Sequence, residues 1–135
     1  MRERAPLKVM LVEDHHAFRR ALAGVLEGER GLEVVAEAAS LAAAREALAR
    51  GGLGGRLDVA LIDLLLPDGE GTELVGVLRR ANPSIKVIVL SADLRPRRID
   101  ELLRTEVDAV LDKVQSPRQI AREVRREGGG GEVLQ

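Results

Sequence analysis

Short apolar runs alternate along the chain with longer segments in which apolar residues recur at helical spacing. Continuous apolar runs of this kind are typical of strands that are buried on both faces of a sheet. The pattern predicts strands at residues 7–12, 33–38, 59–62, 85–90 and 109–111. Each predicted strand is followed by a segment with the pattern of a helix.

The segments after the strands place their apolar residues on one face, as amphipathic helices do. They predict helices at residues 15–27, 40–50, 71–81, 96–104 and 117–127. Ser40 and Ser116 suit N-cap positions, and Pro96 and Pro117 suit the first turn of a helix. Alternating strands and helices require right-handed crossovers, which build a parallel sheet with helices on both faces. The expected fold is a doubly wound α/β domain with a five-stranded parallel sheet.

Composition and charge narrow the classes of function. The chain has 135 residues, the size of one domain. Lys and Arg total 21 against 22 Asp and Glu, which argues against a nucleic-acid coat or a polybasic membrane binder. The absence of cysteine excludes disulfides and cysteine-bound zinc, and a single aromatic residue, Phe18, disfavours base stacking. The first apolar run is too short for a signal peptide or a membrane span, so we expect a soluble, cytoplasmic protein.

Two glycine clusters are interpreted as connections. Residues 51–55, with the sequence GGLGG, follow a predicted helix and precede a predicted strand. A phosphate-binding glycine loop needs a helix directly after it, so we interpret this cluster as an enlarged flexible loop. Residues 128–131 are all glycine and follow the last predicted helix. We therefore divide the chain into a domain at residues 1–127 and a glycine-rich linker or tail at residues 128–135.

Polar residues follow four of the predicted strands. They are Glu13 and Asp14 after the first, Asp63 after the third, Ser91 after the fourth and Lys113 just beyond the fifth. The carboxyl ends of parallel strands meet at one edge of the sheet, and ligands bind there beside the switch in strand order. We therefore expect these side chains to share one pocket.

The chemistry of this group favours a bound cation. At an effective dielectric of about 20, two like charges about 4 Å apart cost about 4 kcal/mol, so clustered carboxylates need a neutralising partner. Oxygen ligands favour Mg²⁺, which binds through one or two carboxylates and a phosphate. A hydroxyl and an ammonium group can donate to phosphate oxygens, and one carboxylate can act as a nucleophile on a phosphoryl group. Each residue alone is equally well explained as a turn or helix-capping residue, and only the joint pattern favours this chemistry.

The chain resembles the receiver domain of bacterial two-component response regulators. The resemblance extends from Leu7 to about Arg126, and it is carried by the stretches VMLVEDHHAFRRAL, DVALIDLLLPDGEGTEL, IKVIVLSA and AVLDKVQSP. The pattern is most similar to regulators with a LuxR-type helix-turn-helix output. The resemblance implies a flavodoxin-like fold, phosphorylation by a histidine kinase, and control of an output that we expect to be transcription. It implies a switch rather than an enzyme, apart from Mg²⁺-dependent phosphorylation and dephosphorylation of the domain itself.

The resemblance also implies roles for the strand-end residues. Asp63 would be the phosphorylated aspartate. Mg²⁺ would be held by Glu13, Asp14, Asp63 and the backbone carbonyl of Leu65.

A second group of residues would contact the phosphoryl group once it has formed. Lys113 would pair with a phosphoryl oxygen, and Ser91 would be the switch hydroxyl that hydrogen-bonds the phosphoryl group. The backbone amides of Leu64 and Ala92 would be further donors.

The sequence departs from the family at Val110, where Tyr or Phe is usual. The aromatic side chain swings inward when the switch residue moves toward the phosphoryl group, and valine cannot make this movement. The departure favours an alternative in which the domain works as a phosphorylation-independent dimerisation or binding module. A small hydrolytic enzyme acting on phosphate esters is a further alternative, although the chain has little length for a substrate-binding cap.

The expected partners are a histidine kinase and a second copy of the chain. Arginines and acids are interleaved on the last two predicted helices, which suits a homodimer face formed by the fourth helix, fifth strand and fifth helix. The same interleaving argues against direct DNA binding, so DNA contact is expected only through an output domain outside this chain, and no membrane contact is expected. His15 and His16 are interpreted as exposed residues at the rim of the site rather than as metal ligands.

Overall fold

The computed structural model describes residues 5–129. Its centre is a five-stranded parallel sheet made of β1 (Leu7–Val12), β2 (Leu32–Ala38), β3 (Val59–Asp63), β4 (Lys86–Ser91) and β5 (Ala109–Asp112). The strand order is β2-β1-β3-β4-β5, so the direction of the crossovers reverses after β2. The switch point therefore lies at the carboxyl ends of β1 and β3. The predicted doubly wound α/β fold is confirmed.

The main helices cover both faces of this sheet. They are α1 (His16–Gly28), α2 (Leu41–Ala49), α3 (Val75–Ala81), α4 (Pro96–Leu103) and α5 (Pro117–Gly129). The apolar residues of α1 and α5 form one core with one face of the sheet, and those of α2, α3 and α4 form a second core with the other face. Among residues 5–129, no helix combines the length and the apolar character needed to cross a membrane.

The central strand β3 explains why the strand-end residues are held firmly. Val59 and Leu61 point into the core under α1 and α5, whereas Ala60 and Ile62 point into the core under α2, α3 and α4. All four side chains are completely buried. Because β3 is packed on both faces and paired with β1 and β4 on both sides, its last residue, Asp63, has a fixed position at the edge of the sheet.

Capping side chains define several helix ends. Ser40 Oγ accepts a hydrogen bond from the Ala43 amide at 3.0 Å, and Ser116 Oγ accepts one from the Gln119 amide at 3.2 Å, as the sequence predicts. The Asp68 carboxylate is an unexpected additional cap, since it accepts from the amides of residues 41 and 42 at the start of α2. These hydrogen bonds lower the pKa of Asp68. They also tie the segment after β3 to α2.

The segment between β3 and α3 is more structured than predicted. Leu65–Leu66 pairs antiparallel with Gly69–Glu70, and a 3₁₀ turn at Gly71–Leu74 leads into α3. The helix that the sequence predicts from residue 71 therefore begins as this tighter turn. The short ribbon keeps the residues directly after Asp63 close to the edge of the sheet.

The GGLGG cluster at residues 51–55 forms helical turns, so the prediction of a loop there is wrong. A 3₁₀ turn at Arg50–Gly52 is followed by one α-helical turn at Leu53–Arg56. Gly51 and Gly52 have φ angles of 54° and 73°, which end α2 and let a new turn begin in another direction. The glycines thus allow a sharp change of direction between two helical elements instead of forming an enlarged loop.

The last helix is longer than predicted. α5 continues through Gly128 and Gly129, two residues beyond the predicted end at residue 127. A Cβ atom at position 128 would lie 2.7 Å from Val59 Cγ2, so the backbone at 128 packs directly on the sheet. The remaining residues of the predicted linker, 130–135, lie outside the described residues.

Replacing Gly71 with alanine is expected to destabilise the domain by about 2 kcal/mol, because added atoms in a well-packed site force the backbone to shift. The new Cβ would lie 2.5 Å from both the backbone oxygen of Asp63 and Ile62 Cγ2. Urea unfolding followed by far-UV circular dichroism measures the change. Gly24→Ala is the control: position 24 lies within α1 and has no heavy atom near the new Cβ, so this variant should be unchanged or more stable. Equal stability of Gly71→Ala and the unmodified protein would contradict the close approach.

Candidate functional site

The residues at the strand ends converge, as the sequence predicts. A cleft of about 510 Å³ at the carboxyl edge of the sheet is lined by Asp14, Asp63, Ser91 and Lys113, with the backbone segments that follow β3 and β4. Glu13 lies beneath this cleft and is completely buried. The topology therefore brings the predicted acids, hydroxyl and amine into one site.

Asp63 is the central carboxylate of the site. It ends β3 and is only 3% exposed. Its Oδ2 accepts a hydrogen bond from Lys113 Nζ at 2.6 Å, and its Oδ1 accepts a weaker one from the Leu65 amide at 3.3 Å. Both oxygens are thus held by donors that face the cleft, so the carboxylate has one defined orientation.

Lys113 joins the two buried acids. Its Nζ lies 3.2 Å from Glu13 Oε1 as well as 2.6 Å from Asp63 Oδ2. Burial alone would lower the pKa of Lys113, but the hydrogen bond and charge of Asp63 and the charge of Glu13 outweigh it and raise the pKa. The ammonium group also lies 5.6 Å from the centre of the Phe18 ring, within the range of a cation–π contact. Lys113 is therefore a permanently charged cation in the cleft at neutral pH.

Glu13 is a completely buried carboxylate whose two oxygens are not equally well hydrogen-bonded. Its Oε2 accepts a hydrogen bond from the His15 amide at 3.0 Å, while its buried Oε1 has the nearby ammonium group but no well-aligned hydrogen bond. Burial raises the pKa of Glu13; the His15 amide opposes this, and Asp63 adds to it. Since the pKa is raised on folding, the ionised side chain makes the cation-free fold less stable as the pH rises from the ordinary value of 4.5 through the raised value.

Arg19 positions the strand end that carries the acid pair. Its Nη1 donates to the backbone oxygen of Glu13 at 2.9 Å, and its Nε donates to Glu37 Oε1 at 3.1 Å. The side chain is 14% exposed, so α1 contributes a nearly buried arginine that links β1 to β2. This contact was not anticipated from the sequence, where Arg19 is one of many arginines.

Ser91 lies in the cleft, but its hydroxyl is bonded elsewhere. Ser91 Oγ accepts from the Asp93 amide at 3.0 Å and donates to the Asp93 backbone oxygen at 3.1 Å. The side chain is 3% exposed and closes a small local ring at the end of β4. A contact between this hydroxyl and a group bound on Asp63 therefore requires these two hydrogen bonds to break.

The backbone donors differ in part from those predicted. The Leu64 amide donates to the Leu90 backbone oxygen at 2.9 Å and so belongs to the sheet. The prediction that this amide faces a phosphoryl group is wrong for this structure, because the β3–β4 pairing continues one residue further than expected. The next amide, that of Leu65, points at Asp63 Oδ1 instead. Ala92 lines the cleft, and the role of its amide as a donor to a phosphoryl group stays a prediction.

Val110 lies outside this cleft. It belongs to β5, is half-buried, and packs against the core under α2, α3 and α4. Val110 is not among the described residues that line the cleft. The structure therefore leaves the role of Val110 as a switch residue a prediction.

Two cleft residues were not anticipated. Asp93 and Arg98 line the cleft together with Asp63 and Lys113. Arg98 lies on the first turn of α4, which begins at Pro96, five residues after the end of β4 at Ser91. The predicted start of this helix at residue 96 is the signal that could have placed Arg98 beside the site.

The donor set fits a hard divalent cation. Oxygen or nitrogen atoms of Glu13, Asp14 and His15 lie within 4.8 Å of one another. The carboxylates are the ligands that Mg²⁺ prefers, whereas a histidine nitrogen suits transition metals better. The buried Glu13 Oε1 without an aligned hydrogen bond is the atom that a cation would satisfy best. His15 is exposed at the rim, in keeping with the prediction, and His16 is exposed on the first turn of α1.

Comparison with known protein families gives a match over most of the chain. The family described as the response regulator receiver domain matches residues 9–125, almost the whole described chain. The response regulator protein VraR of Staphylococcus aureus is 31% identical over 129 residues, which cover 96% of this chain and 60% of VraR. The chain thus spans less than two thirds of the length of this curated relative.

Solved structures show the same architecture. The receiver domain of the putative response regulator NarL from Mycobacterium tuberculosis superposes with a TM-score of 0.80 and 25% identity, covering 94% of this chain and 99% of that domain. A CheY-like receiver domain protein from Methanospirillum hungatei superposes with a TM-score of 0.76 and 23% identity, covering 93% and 95% of the two chains. The flavodoxin-like receiver fold predicted from the sequence is confirmed.

Proposed function

Because the chain belongs to the response regulator receiver domain family, we propose that it is a phosphorylation-dependent switch with Asp63 as the phosphoacceptor. The observation that carries this proposal is the geometry of Asp63: a buried carboxylate at the switch point, held by Lys113, with Glu13 and Asp14 beside it. If Asp63 and Lys113 formed only a structural ion pair, the two further acids beside them would serve no purpose, because they repel the Asp63 carboxylate.

The proposed reaction is transfer of a phosphoryl group from a phosphohistidine of a partner kinase. An Asp63 carboxylate oxygen attacks phosphorus, the bond between phosphorus and the histidine nitrogen breaks, and an acyl phosphate forms. The Lys113 ammonium moves from Oδ2 to a phosphoryl oxygen, where it offsets the new negative charge. The Leu65 amide is a backbone donor to the reacting carboxylate.

Mg²⁺ is part of the proposal. Glu13, Asp14, Asp63 and the Leu65 carbonyl would hold the ion, which would neutralise charge between the carboxylates and the phosphoryl oxygens. The buried and imperfectly satisfied Glu13 Oε1 supports this assignment. Arg19 would fix the backbone of Glu13 so that the acid pair keeps its position when the charge in the site changes.

Incubation with acetyl phosphate is expected to label the protein only when Mg²⁺ is present. Without a divalent ion, the incoming phosphate dianion meets three acids whose charge Lys113 and Arg98 only partly offset, so the rate should fall by at least about a hundredfold. Intact-mass spectrometry, with and without a chelator, measures the fraction labelled. Labelling that is equally fast in the chelator would contradict the proposed metal site.

Histidine kinases phosphorylate response regulators, and a response regulator of the LuxR family with the same receiver fold binds DNA, so we propose a kinase partner and a transcriptional output for the whole protein. The proposal includes a cytoplasmic location, which the family membership supports. It describes a self-modifying switch rather than an enzyme with turnover on a separate substrate. A homodimer face on α4, β5 and α5 is also proposed, and the charged cleft lined by Arg97, Asp100, Glu101 and Arg104 supports it.

A phosphorylation-independent dimerisation or binding module is the second candidate. The observation that favours it is Val110, a half-buried aliphatic side chain where the family has an aromatic ring. If Asp63 is a working phosphoacceptor, Mg²⁺ and beryllofluoride, a phosphoryl mimic, should shift the mass distribution in analytical ultracentrifugation. An unchanged distribution at saturating mimic would favour the second candidate over the switch.

A further inference from the structure

We propose that Arg98 is a second phosphoryl-binding cation of this site and that it carries the phosphorylation signal into α4. On phosphorylation, its guanidinium group would leave two surface carboxylates and bind the phosphoryl group on Asp63. This inference deepens the proposed function and rests on it, because it requires Asp63 to carry a phosphoryl group.

The position of Arg98 is the first support. Its side chain lines the same cleft as Asp63, Ser91 and Lys113. Among the described residues that line this cleft, Arg98 and Lys113 are the lysine and arginine side chains, and each is 26% exposed. Lys113 already has Asp63 and Glu13 as partners within the cleft, whereas Arg98 has its partners outside it.

The present partners of Arg98 are weak ones. Its Nη2 lies 3.0 Å from Glu70 Oε2, and its Nη1 lies 3.1 Å from Glu101 Oε1. The two glutamate side chains are 48% and 47% exposed, so water screens both ion pairs. The guanidinium group can therefore exchange these partners at low cost when a stronger anion enters the cleft.

A phosphoryl group is that stronger anion. It carries a charge of about −1.5 to −2 at neutral pH and offers three acceptor oxygens. The planar guanidinium group can donate two parallel hydrogen bonds to two of these oxygens. This bidentate arrangement is stronger than the present one, in which each of two glutamates accepts through a single carboxylate oxygen. The exchange is consequently expected to follow phosphorylation and not to precede it.

The neighbouring arginine is not available for this role. Arg95 binds the Asp93 carboxylate through Nε at 2.9 Å and Nη2 at 2.7 Å, and it is 81% exposed. Arg95 thus holds the loop after β4 rather than facing Asp63. Of the two arginines, Arg98 is therefore the one near the start of α4 whose ion-pair partners can change.

The exchange would couple the site to α4. Glu70 belongs to the segment after β3, so the pair of Arg98 and Glu70 ties α4 to that segment in the unphosphorylated state. Its release, together with a new bond toward Asp63, shifts the equilibrium of the first turns of α4. This readout does not need an aromatic ring at position 110, where the chain has valine.

The test compares the variants Arg98→Gln and Glu70→Gln. If Arg98 only ties α4 to the segment after β3, both variants should change binding of the phosphoryl mimic in the same direction. If Arg98 moves to the phosphoryl group, they should change it in opposite directions. Mg²⁺-dependent binding of beryllofluoride is measured by ¹⁹F and ¹H–¹⁵N NMR, because the chain has neither Trp nor Tyr for fluorescence. Arg98→Gln should weaken binding roughly tenfold and remove the shifts of the α4 amides. Glu70→Gln should strengthen binding roughly twofold to threefold, since it frees the guanidinium group while keeping an acceptor oxygen at position 70.

Arg50→Gln is the control, because Arg50 forms an exposed ion pair with Glu46 and, among the described residues, lines neither the cleft around Asp63 nor the charged cleft of the proposed homodimer face. It should bind beryllofluoride as the unmodified protein does. Binding by Arg98→Gln that equals the unmodified protein would overturn the proposal, and so would changes of the same sign in Arg98→Gln and Glu70→Gln. Failure of the unmodified protein to bind beryllofluoride would instead overturn the proposed function, and this inference with it.

Discussion

Asp63→Asn is expected to reduce labelling by acetyl phosphate below detection, at any Mg²⁺ concentration. An amide is a very poor nucleophile toward phosphorus, so the variant loses the atom that forms the acyl phosphate. It also removes the charge that holds Lys113 Nζ at 2.6 Å and one of the carboxylates available to the metal. Intact-mass spectrometry of the unmodified protein and the variant, under identical conditions, measures the effect.

The control for this experiment is Asp68→Asn. Asp68 lies in the same segment of the chain and caps α2, and it does not line the cleft around Asp63. This variant should lose some stability but keep its labelling. Retained labelling of Asp63→Asn, or equal losses in the two variants, would reject Asp63 as the acceptor.

Lys113→Met is expected to destabilise the metal-free domain by about 2 kcal/mol at neutral pH. Breaking a buried ion pair by removing one partner costs about 3–5 kcal/mol, and the 26% exposure of Lys113 reduces that cost. The completely buried Glu13 and the nearly buried Asp63 would then face each other without a cation. Urea unfolding in a chelator, followed by circular dichroism, measures the free energy of unfolding.

The pH dependence of this loss distinguishes electrostatics from packing. Without Lys113, the already raised pKa of Glu13 rises further, because the ammonium group no longer lowers it. Below the ordinary value of 4.5, Glu13 is protonated in both the folded and the unfolded states, and the variant should differ least from the unmodified protein. The difference should grow as the pH rises through the raised pKa, and added Mg²⁺ should reduce it. A loss that is independent of pH and Mg²⁺ would show that Lys113 acts only through packing.

The sequence was sufficient to predict the convergence of the acids, the hydroxyl and the amine. Parallel strands must place their carboxyl ends at one edge, so the position of Asp63, Ser91 and Lys113 after apolar runs already implies proximity. The capping residues Ser40 and Ser116 were predictable for a similar reason, since capping depends on local chemistry.

The sequence could not predict which backbone amides at the end of β3 pair with β4 and which one faces Asp63. The apolar run of β3 ends at Ile62, but the strand includes Asp63, and its pairing with β4 uses the Leu64 amide. The donor facing the Asp63 carboxylate is therefore one residue further along, at Leu65. Periodicity cannot resolve a shift of one residue at the end of a strand.

Contacts of long side chains were also beyond the sequence. Arg19 and Arg98 are two of many arginines, and only the arrangement of α1 and α4 shows that one holds the Glu13 backbone and the other lines the cleft. The hydrogen bond between the Ser91 hydroxyl and the Asp93 backbone depends on the local conformation of the loop after β4. A residue pattern predicts which groups are near each other, but not which of the available partners they bond.

Borohydride trapping identifies the carboxylate that accepts the phosphoryl group. Borohydride reduces an aspartyl phosphate to homoserine, which peptide mass spectrometry locates at a single position. After reaction with acetyl phosphate and Mg²⁺, we expect homoserine at position 63 and at no other aspartate. Homoserine at position 14 or 68, or none in a protein that has gained phosphoryl mass, would rule out Asp63 as the phosphoacceptor.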